Sequence, residues 1–227
     1  MPPEAYQPGE RRPIATRDRK VSQWAASLLA RWGVSANAIS VAGLFCGVAA
    51  GAALAITPYA HGWERAAWLA GAVLIQLRLL ANMLDGMVAI ASARASAVGE
   101  LFNEVPDRIS DAATLIGLGY AVGGNVALGF TAACVALFTA YVRAMGKVAG
   151  AGQEFCGPMA KPQRMFVATV AALYCGLAPA DWQPRWELSP SYVGLPAAAL
   201  LLIIVGGVAT AVRRLGRIAR TLTKGPS

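Results

Sequence analysis

Long runs of residues without a charged side chain dominate this sequence. No Asp, Glu, Lys or Arg lies between Arg31 and Glu64, and none lies between Asp111 and Arg143. A helix needs about 20 mainly apolar residues to cross the hydrocarbon core of a bilayer. Apolar residues make up 56% of the chain and charged residues 14%, against roughly 45–50% and about 25% in soluble domains. We therefore predict an all-α integral membrane protein.

Charge spacing and turn residues divide the apolar sequence into six transmembrane helices. The predicted spans cover residues 37–57, 66–91, the stretches on either side of a turn at 123–125, 165–180 and 188–212. Apolar residues at helical spacing over residues 18–34 predict an amphipathic helix that lies in the cytoplasmic interface before the first span. Gly43, Gly47 and Gly51 repeat every four residues in the first span, which favours close packing of another helix.

The basic residues predict the orientation in the membrane. The net charge is +8, and 17 of the 20 Lys and Arg residues fall on one side of the predicted bundle. Cytoplasmic loops are enriched in Lys and Arg, so both termini and the active site are predicted to be cytoplasmic.

The membrane concerned is predicted to be the cell (inner) membrane, whose anionic lipids suit a basic cytoplasmic face. No nucleic-acid partner is expected, since the apolar excess assigns the basic residues to membrane orientation. Four segments follow from these patterns. They are a disordered tail at 1–17, the interfacial amphipathic helix at 18–34, a six-helix membrane domain at 35–213, and a basic cytoplasmic tail at 214–227.

Two polar stripes interrupt the apolar pattern near the cytoplasmic side. They consist of Arg78, Asn82 and Asp85 in the second span, and Asn103, Asp107 and Asp111 at the start of the third. Ionisable groups inside a membrane are costly, so their presence indicates function. Carboxylate and amide oxygens at this spacing suit Mg²⁺ or Mn²⁺. The alternative is a buried network in which Arg78 neutralises Asp85.

These residues resemble the motif of the CDP-alcohol phosphotransferase family, D-x-x-D-G-x-x-A-R, eight residues, then G-x-x-x-D-x-x-x-D. Five of its eight positions match, namely Asp85, Gly86, Ala89, Gly99 and Asp107. The other three are Asn82, Ile90 and Asn103, where the family has Asp, Arg and Asp. Asn37, Ile39 and Ser40 also look like the family's P-N-x-I-T element, with Ala36 in place of the proline.

The resemblance implies a six-helix membrane transferase of phospholipid biosynthesis. Such an enzyme moves a substituted phosphate group from a CDP-linked donor, for example CDP-diacylglycerol, to an acceptor hydroxyl and releases CMP. It also implies a Mg²⁺ or Mn²⁺ cofactor and a homodimer. Because two aspartates are replaced by asparagine, a single-metal site is favoured over a two-metal site.

Site residues follow from the aligned positions. By resemblance, Asp107 is the general base. The implied metal ligands are Asn82, Asp85, Asn103 and Asp107, with Asp111 as a replacement carboxylate one turn later. The implied CDP site comprises Asn37, Ser40, Gly86, Ala89 and Gly99. Basic residues of the loop between spans four and five are candidates for binding a donor or acceptor phosphate, or serve orientation alone. They are Arg143, Lys147, Lys161 and Arg164.

Two other functions remain open from the sequence. One is a catalytically degenerate member of the same fold that binds a lipid or a nucleotide. The other is a small membrane transporter in which Arg78 and Asp85 form an ion pair along the transport path. A transporter predicts polar residues along the whole route, whereas the observed ones gather at one end.

Overall fold

The computed structural model describes residues 20–92, 97–188 and 191–223. This part of the chain contains seven α-helices and one antiparallel hairpin. They are α1 (Lys20–Arg31), α2 (Ala36–Ala55), α3 (Glu64–Ala91), α4 (Ala97–Tyr120), α5 (Val126–Val148), α6 (Lys161–Leu177), β1 (Arg185–Leu188), β2 (Ser191–Gly194) and α7 (Leu195–Thr223). The tail predicted at residues 1–17 lies outside the described residues.

Four helices are long and apolar enough to cross a bilayer, namely α2, α3, α5 and α7. The helices α4 and α6 lie where the third and fifth spans were predicted. However, α4 carries charged residues in its first half, and α6 has only 17 residues. The described chain is thus mainly helical, as predicted, with four candidate membrane spans.

The glycine stripe of α2 packs against α4. A Cβ atom at Gly47 would overlap Ser110, and one at Gly51 would overlap the backbone carbonyl of Ala113. In return, a Cβ atom at Gly117 would overlap the backbone of Gly51. The predicted close packing is therefore confirmed, and it occurs within one chain. This contact brings the first turns of α2 beside the polar residues of α4.

The helix α1 lies within the predicted amphipathic segment and packs beside α3. Ala26 is buried with Ile39 of α2 and Val88 of α3 in a small apolar cluster. Trp24, which the pattern assigned to the apolar face, is 59% exposed. The larger core contains residues from each of the six helices from α2 to α7. Its largest fully buried apolar side chains include Leu54, Trp68, Ile75, Leu115, Leu118, Met165, Leu200 and Ile203.

A β-hairpin that was not predicted precedes α7. Arg185 pairs with Gly194, and Leu188 pairs with Ser191. The last span was predicted from residue 188, but its helix begins at Leu195 because the hairpin uses the preceding residues. The backbone N–H of Gly194 donates a hydrogen bond of 2.7 Å to the carbonyl oxygen of Gly123. Gly123 has a φ of 70°, in agreement with the turn predicted there.

The final helix continues through residues that were predicted to form a basic tail. Arg214, expected at the membrane surface, is only 5% exposed. Its Nε donates to the carbonyl oxygen of Cys156 at 2.9 Å, and its Nη1 donates to that of Thr139 at 2.8 Å. One turn later, Ile218 is buried beside Gly146. Residues 214–223 therefore continue α7, and Arg214 and Ile218 pack against the rest of the protein.

Candidate active site

The polar stripes of α3 and α4 meet in a single hydrogen-bonded group. Asn82 Nδ2 donates to Asn103 Oδ1 at 2.8 Å and to Asp107 Oδ2 at 2.8 Å. Asn103 Nδ2 donates in turn to Asp85 Oδ1 at 3.3 Å. The structure thus brings together all four aligned ligand positions. We call Asn82, Asp85, Asn103 and Asp107 the ligand quartet.

The quartet borders a narrow pocket between α2, α3 and α4. Ser40 of α2 lies in its wall, and its Oγ donates to Asp85 Oδ2 at 2.7 Å. The backbone N–H of Gly86 donates to Asp85 Oδ1. Of the residues predicted to bind CDP, only Ser40 lines this pocket, and Asn37, Gly86, Ala89 and Gly99 do not. Asn37 is exposed one turn before Ser40.

Lys161, the first residue of α6, reaches the quartet. Its ammonium donates to Asn82 Oδ1 at 3.0 Å and forms an ion pair with Asp107 Oδ2. The side chain is 16% exposed. From the sequence, Lys161 is a candidate for binding a phosphate or serves membrane orientation alone. The structure instead places its ammonium on two of the four candidate ligand positions.

A buried ion-pair group lies one turn deeper. Asp111 Oδ1 is 2.6 Å from Arg78 Nη2, and Asp111 Oδ2 is 3.2 Å from Arg164 Nη2. All three side chains are only 2% exposed. Arg78 Nη2 also contacts Asp107 Oδ1 at 3.1 Å. Arg78 therefore pairs with the two acids of α4, and the Arg78–Asp85 pair of the buried-network and transporter alternatives is not formed.

These contacts change the interpretation of Asp111 and Arg164. Both oxygens of Asp111 face guanidinium groups, so the carboxylate is not free to replace a lost metal ligand in this arrangement. Arg164 also donates to the carbonyl oxygen of Met159 at 3.1 Å. Its guanidinium is therefore held within the protein, although it was predicted to bind a phosphate. A buried charge requires such partners because desolvation is costly.

The remaining two predicted phosphate ligands lie on α5. Arg143 forms an ion pair with Glu104, and Glu104 also pairs with Arg108 at 2.6 Å. The Arg143 guanidinium lies 5.6 Å from the centroid of the Phe155 ring. Lys147, one turn further along α5, is exposed. The four basic candidates therefore do not form one cluster.

The candidate metal ligands include few acidic side chains. Among the described residues, no group of three or more His, Cys, Asp or Glu is placed to hold a metal ion. The quartet offers two carboxylates and two amides. Rotation of the Asn82 or Asn103 amide would present its oxygen in place of its nitrogen. With a cation present, the quartet can supply four side chains with oxygen donors.

The sequence matches the CDP-alcohol phosphatidyltransferase family over residues 33–209. It is 28% identical over 201 residues to a phosphatidylinositol phosphate synthase of Streptomyces avermitilis, with 86% of this chain and 76% of that protein covered. It is 31% identical over 173 residues to a phosphatidylinositol phosphate synthase of Cutibacterium acnes, with 74% of this chain and 79% of that protein covered.

The fold is similar to crystal structures of a Mycobacterium tuberculosis phosphatidylinositol phosphate synthase. The structure with CDP-DAG bound has a TM-score of 0.69 at 21% identity, covering 88% of this chain and 94% of that chain. The structure in complex with manganese and citrate has a TM-score of 0.68 at 22% identity, covering 87% and 88%. The family match includes the whole ligand quartet. The chain therefore belongs to the CDP-alcohol phosphatidyltransferase family, as its motif predicted, and is a transferase of that class.

Proposed function

We propose that this transferase moves the phosphatidyl group of CDP-diacylglycerol to an acceptor hydroxyl and releases CMP. The observation that carries the proposal is the convergence of Asp85 and Asp107, with the two amides, beside a pocket between three helices. The relatives named as phosphatidylinositol phosphate synthases support a lipid donor and a polyol acceptor. A phosphorylated polyol such as inositol phosphate is therefore the first acceptor to test.

The charges around the quartet fit one divalent cation. The quartet and its ion-paired neighbours include three acids and three bases, so this group of side chains has no formal net charge. They are Asp85, Asp107, Asp111, Arg78, Lys161 and Arg164. One Mg²⁺ or Mn²⁺ together with the doubly negative pyrophosphate of the donor preserves that balance. Two divalent cations would leave two uncompensated positive charges in a poorly solvated site, which is costly.

Asp85 and Asp107, with the amide oxygens of the quartet, would hold this cation. When bound, it neutralises charge on the donor's pyrophosphate. Asp107 accepts the proton of the acceptor hydroxyl as the acceptor oxygen bonds to the phosphorus that carries diacylglycerol. The bond between that phosphorus and the oxygen of CMP breaks, and CMP leaves with its electron pair. Arg78 fixes the orientation of Asp107, since it contacts one of the two carboxylate oxygens.

We further propose that all six helices from α2 to α7 cross the bilayer, with the site and both termini in the cytoplasm. The 24-residue α4 has a length of about 36 Å at 1.5 Å per residue. The shorter α6, with 17 residues, crosses where the bilayer is thinner. The concentration of basic residues on one side supports the orientation. A homodimer, implied by the family resemblance, would use apolar faces other than the glycine stripe, which is covered by α4.

The test is CMP release by purified full-length protein in nanodiscs that contain CDP-diacylglycerol. Polyols and phosphorylated polyols are supplied in turn with Mg²⁺ or Mn²⁺, and the lipid product is identified by mass spectrometry. We expect CMP and a new phospholipid in equal amounts with one acceptor class. Folded protein that releases no CMP under any combination would support the degenerate, ligand-binding alternative. That alternative is favoured by one observation, namely that the quartet and Lys161 already satisfy one another's hydrogen bonds.

A further inference from the structure

We propose that Lys161 is a built-in cation of the ligand quartet and leaves room for a single divalent ion. The inference rests on the proposed function for the presence of that ion. Its basis is the position of the Lys161 ammonium, which bridges Asn82 of α3 and Asp107 of α4. A positive group that joins an oxygen from each helix makes the contacts that a bound metal ion would make there.

The backbone that carries Lys161 is firmly held. Lys161 begins α6, and Arg164, one turn later, is buried and bonded to Asp111 of α4. Arg164 also donates to the carbonyl oxygen of Met159, just before the helix. Met159 N–H donates to Thr210 Oγ1 of α7 at 2.9 Å. The start of α6 is thus joined to α4 and α7, and the lysine extends toward the quartet from a fixed base.

The charge count supports the same conclusion. Asn82 and Asn103 stand where the family motif has aspartates, so this chain lacks two negative charges, the amount that one divalent cation would balance. Lys161 contacts one of these asparagines and the catalytic candidate Asp107. Among the described contacts, Lys161 bonds to neither Asp85 nor Asn103. These two residues, on the side of the quartet next to Ser40, are open to the divalent ion, which would share Asn82 and Asp107 with the Lys161 ammonium.

The number of bound Mn²⁺ ions tests this assignment without an activity assay. Purified full-length protein in detergent is dialysed against Mn²⁺, and bound ions are counted by electron paramagnetic resonance of the free ion. We expect one ion in the wild type and one in the Asn82→Asp/Asn103→Asp variant, because Lys161 still fills the second position. Adding Lys161→Met to this variant should raise the count to two.

A matched control replaces the other lysine near the cytoplasmic ends of α5 and α6. Lys147→Met, added to the Asn82→Asp/Asn103→Asp variant, should leave one bound ion because the Lys147 side chain is exposed in the last turn of α5. Two ions bound with Lys161 present, or one ion bound after its removal, would overturn the proposal. Thermal unfolding in detergent identifies variants that are folded and can be counted.

The single variant Lys161→Met provides a second measurement if the triple variant does not fold. Removing a positive charge beside the site should tighten Mn²⁺ binding by at least about tenfold. Unchanged or weaker binding would contradict the proposal. Failure here is distinguishable from failure of the proposed function. An enzyme that releases CMP while binding two ions contradicts only the role of Lys161, whereas one bound ion without CMP release contradicts only the reaction.

Discussion

The ammonium of Lys161 forms an ion pair with the carboxylate of Asp107, although 54 residues separate them in the chain. The pair connects the first residue of α6 to the ligand quartet. Asp107 therefore has positive partners on both sides, since Arg78 contacts its other oxygen at 3.1 Å. Both oxygens of the candidate base are thus held by cationic side chains, one from α3 and one from α6.

Replacing this carboxylate should stop the reaction. We expect Asp107→Asn to lower CMP release by at least about 100-fold, in the range typical for loss of a general base. The amide keeps the size of the side chain but accepts a proton poorly. Asp181→Asn, at an exposed site in the connection after α6, is the control and should behave as the wild type. Near-normal CMP release by folded Asp107→Asn would exclude Asp107 as the base.

Asp111 should act on stability rather than on metal binding. Asp111→Asn leaves Arg78 and Arg164 with less compensation in a buried site, and such losses cost about 3–5 kcal/mol. The variant should unfold at a lower temperature than the wild type while still binding one Mn²⁺ ion. Both are measured on the same detergent-solubilised sample.

A double variant separates the ion pair from other effects. Arg164→Met should restore part of the stability lost in Asp111→Asn, because it removes one of the two uncompensated guanidinium groups. Loss of Mn²⁺ binding in folded Asp111→Asn would instead return Asp111 to the set of metal ligands.

The sequence predicted those parts of the site in which the polar residues lie on one face of a single helix. Asn82 and Asp85 share a face of α3, and Asn103 and Asp107 share a face of α4, so helical spacing alone predicted both stripes. The motif spacing also predicted that the stripes meet. Family membership followed from the same residues, even with three motif positions changed.

The remaining features depend on packing between distant segments. No periodicity in the sequence indicates that Lys161 reaches α3 and α4, or that Arg78 pairs with Asp111 rather than Asp85. Likewise, the hydropathy pattern extended the last span into a region where backbone pairing forms a hairpin. Arg214 was predicted at the membrane surface because charged side chains are usually exposed. In the structure, carbonyl oxygens of α5 and of the following loop accept hydrogen bonds from its guanidinium inside the protein.

The hydrogen bond from Ser40 to Asp85 should contribute to activity without being essential for it. The Ser40 hydroxyl donates to Asp85 Oδ2 at 2.7 Å inside the protein. Ser40→Ala removes this donor, at a cost of about 0.5–1.5 kcal/mol for a typical hydrogen bond. We expect CMP release to fall by a few-fold to about tenfold at limiting CDP-diacylglycerol. Ser27→Ala, which removes only an exposed bond within α1, is the control. Equal activity of the two variants would contradict a role for Ser40 in the site.

Close packing of α2 on α4 should limit which side chains Gly51 tolerates. A methyl group there would meet the backbone carbonyl of Ala113, which cannot move aside as a flexible side chain can. Gly51→Ala should therefore destabilise the protein by about 1–3 kcal/mol, the usual cost of overpacking, despite the higher helix propensity of alanine. Gly216→Ala in α7 is the matched control, because open space surrounds that position. Thermal unfolding in detergent measures both variants. A midpoint for Gly51→Ala equal to or above that of Gly216→Ala would show that α2 and α4 pack less closely than described, and would weaken the placement of Ser40 beside Asp85.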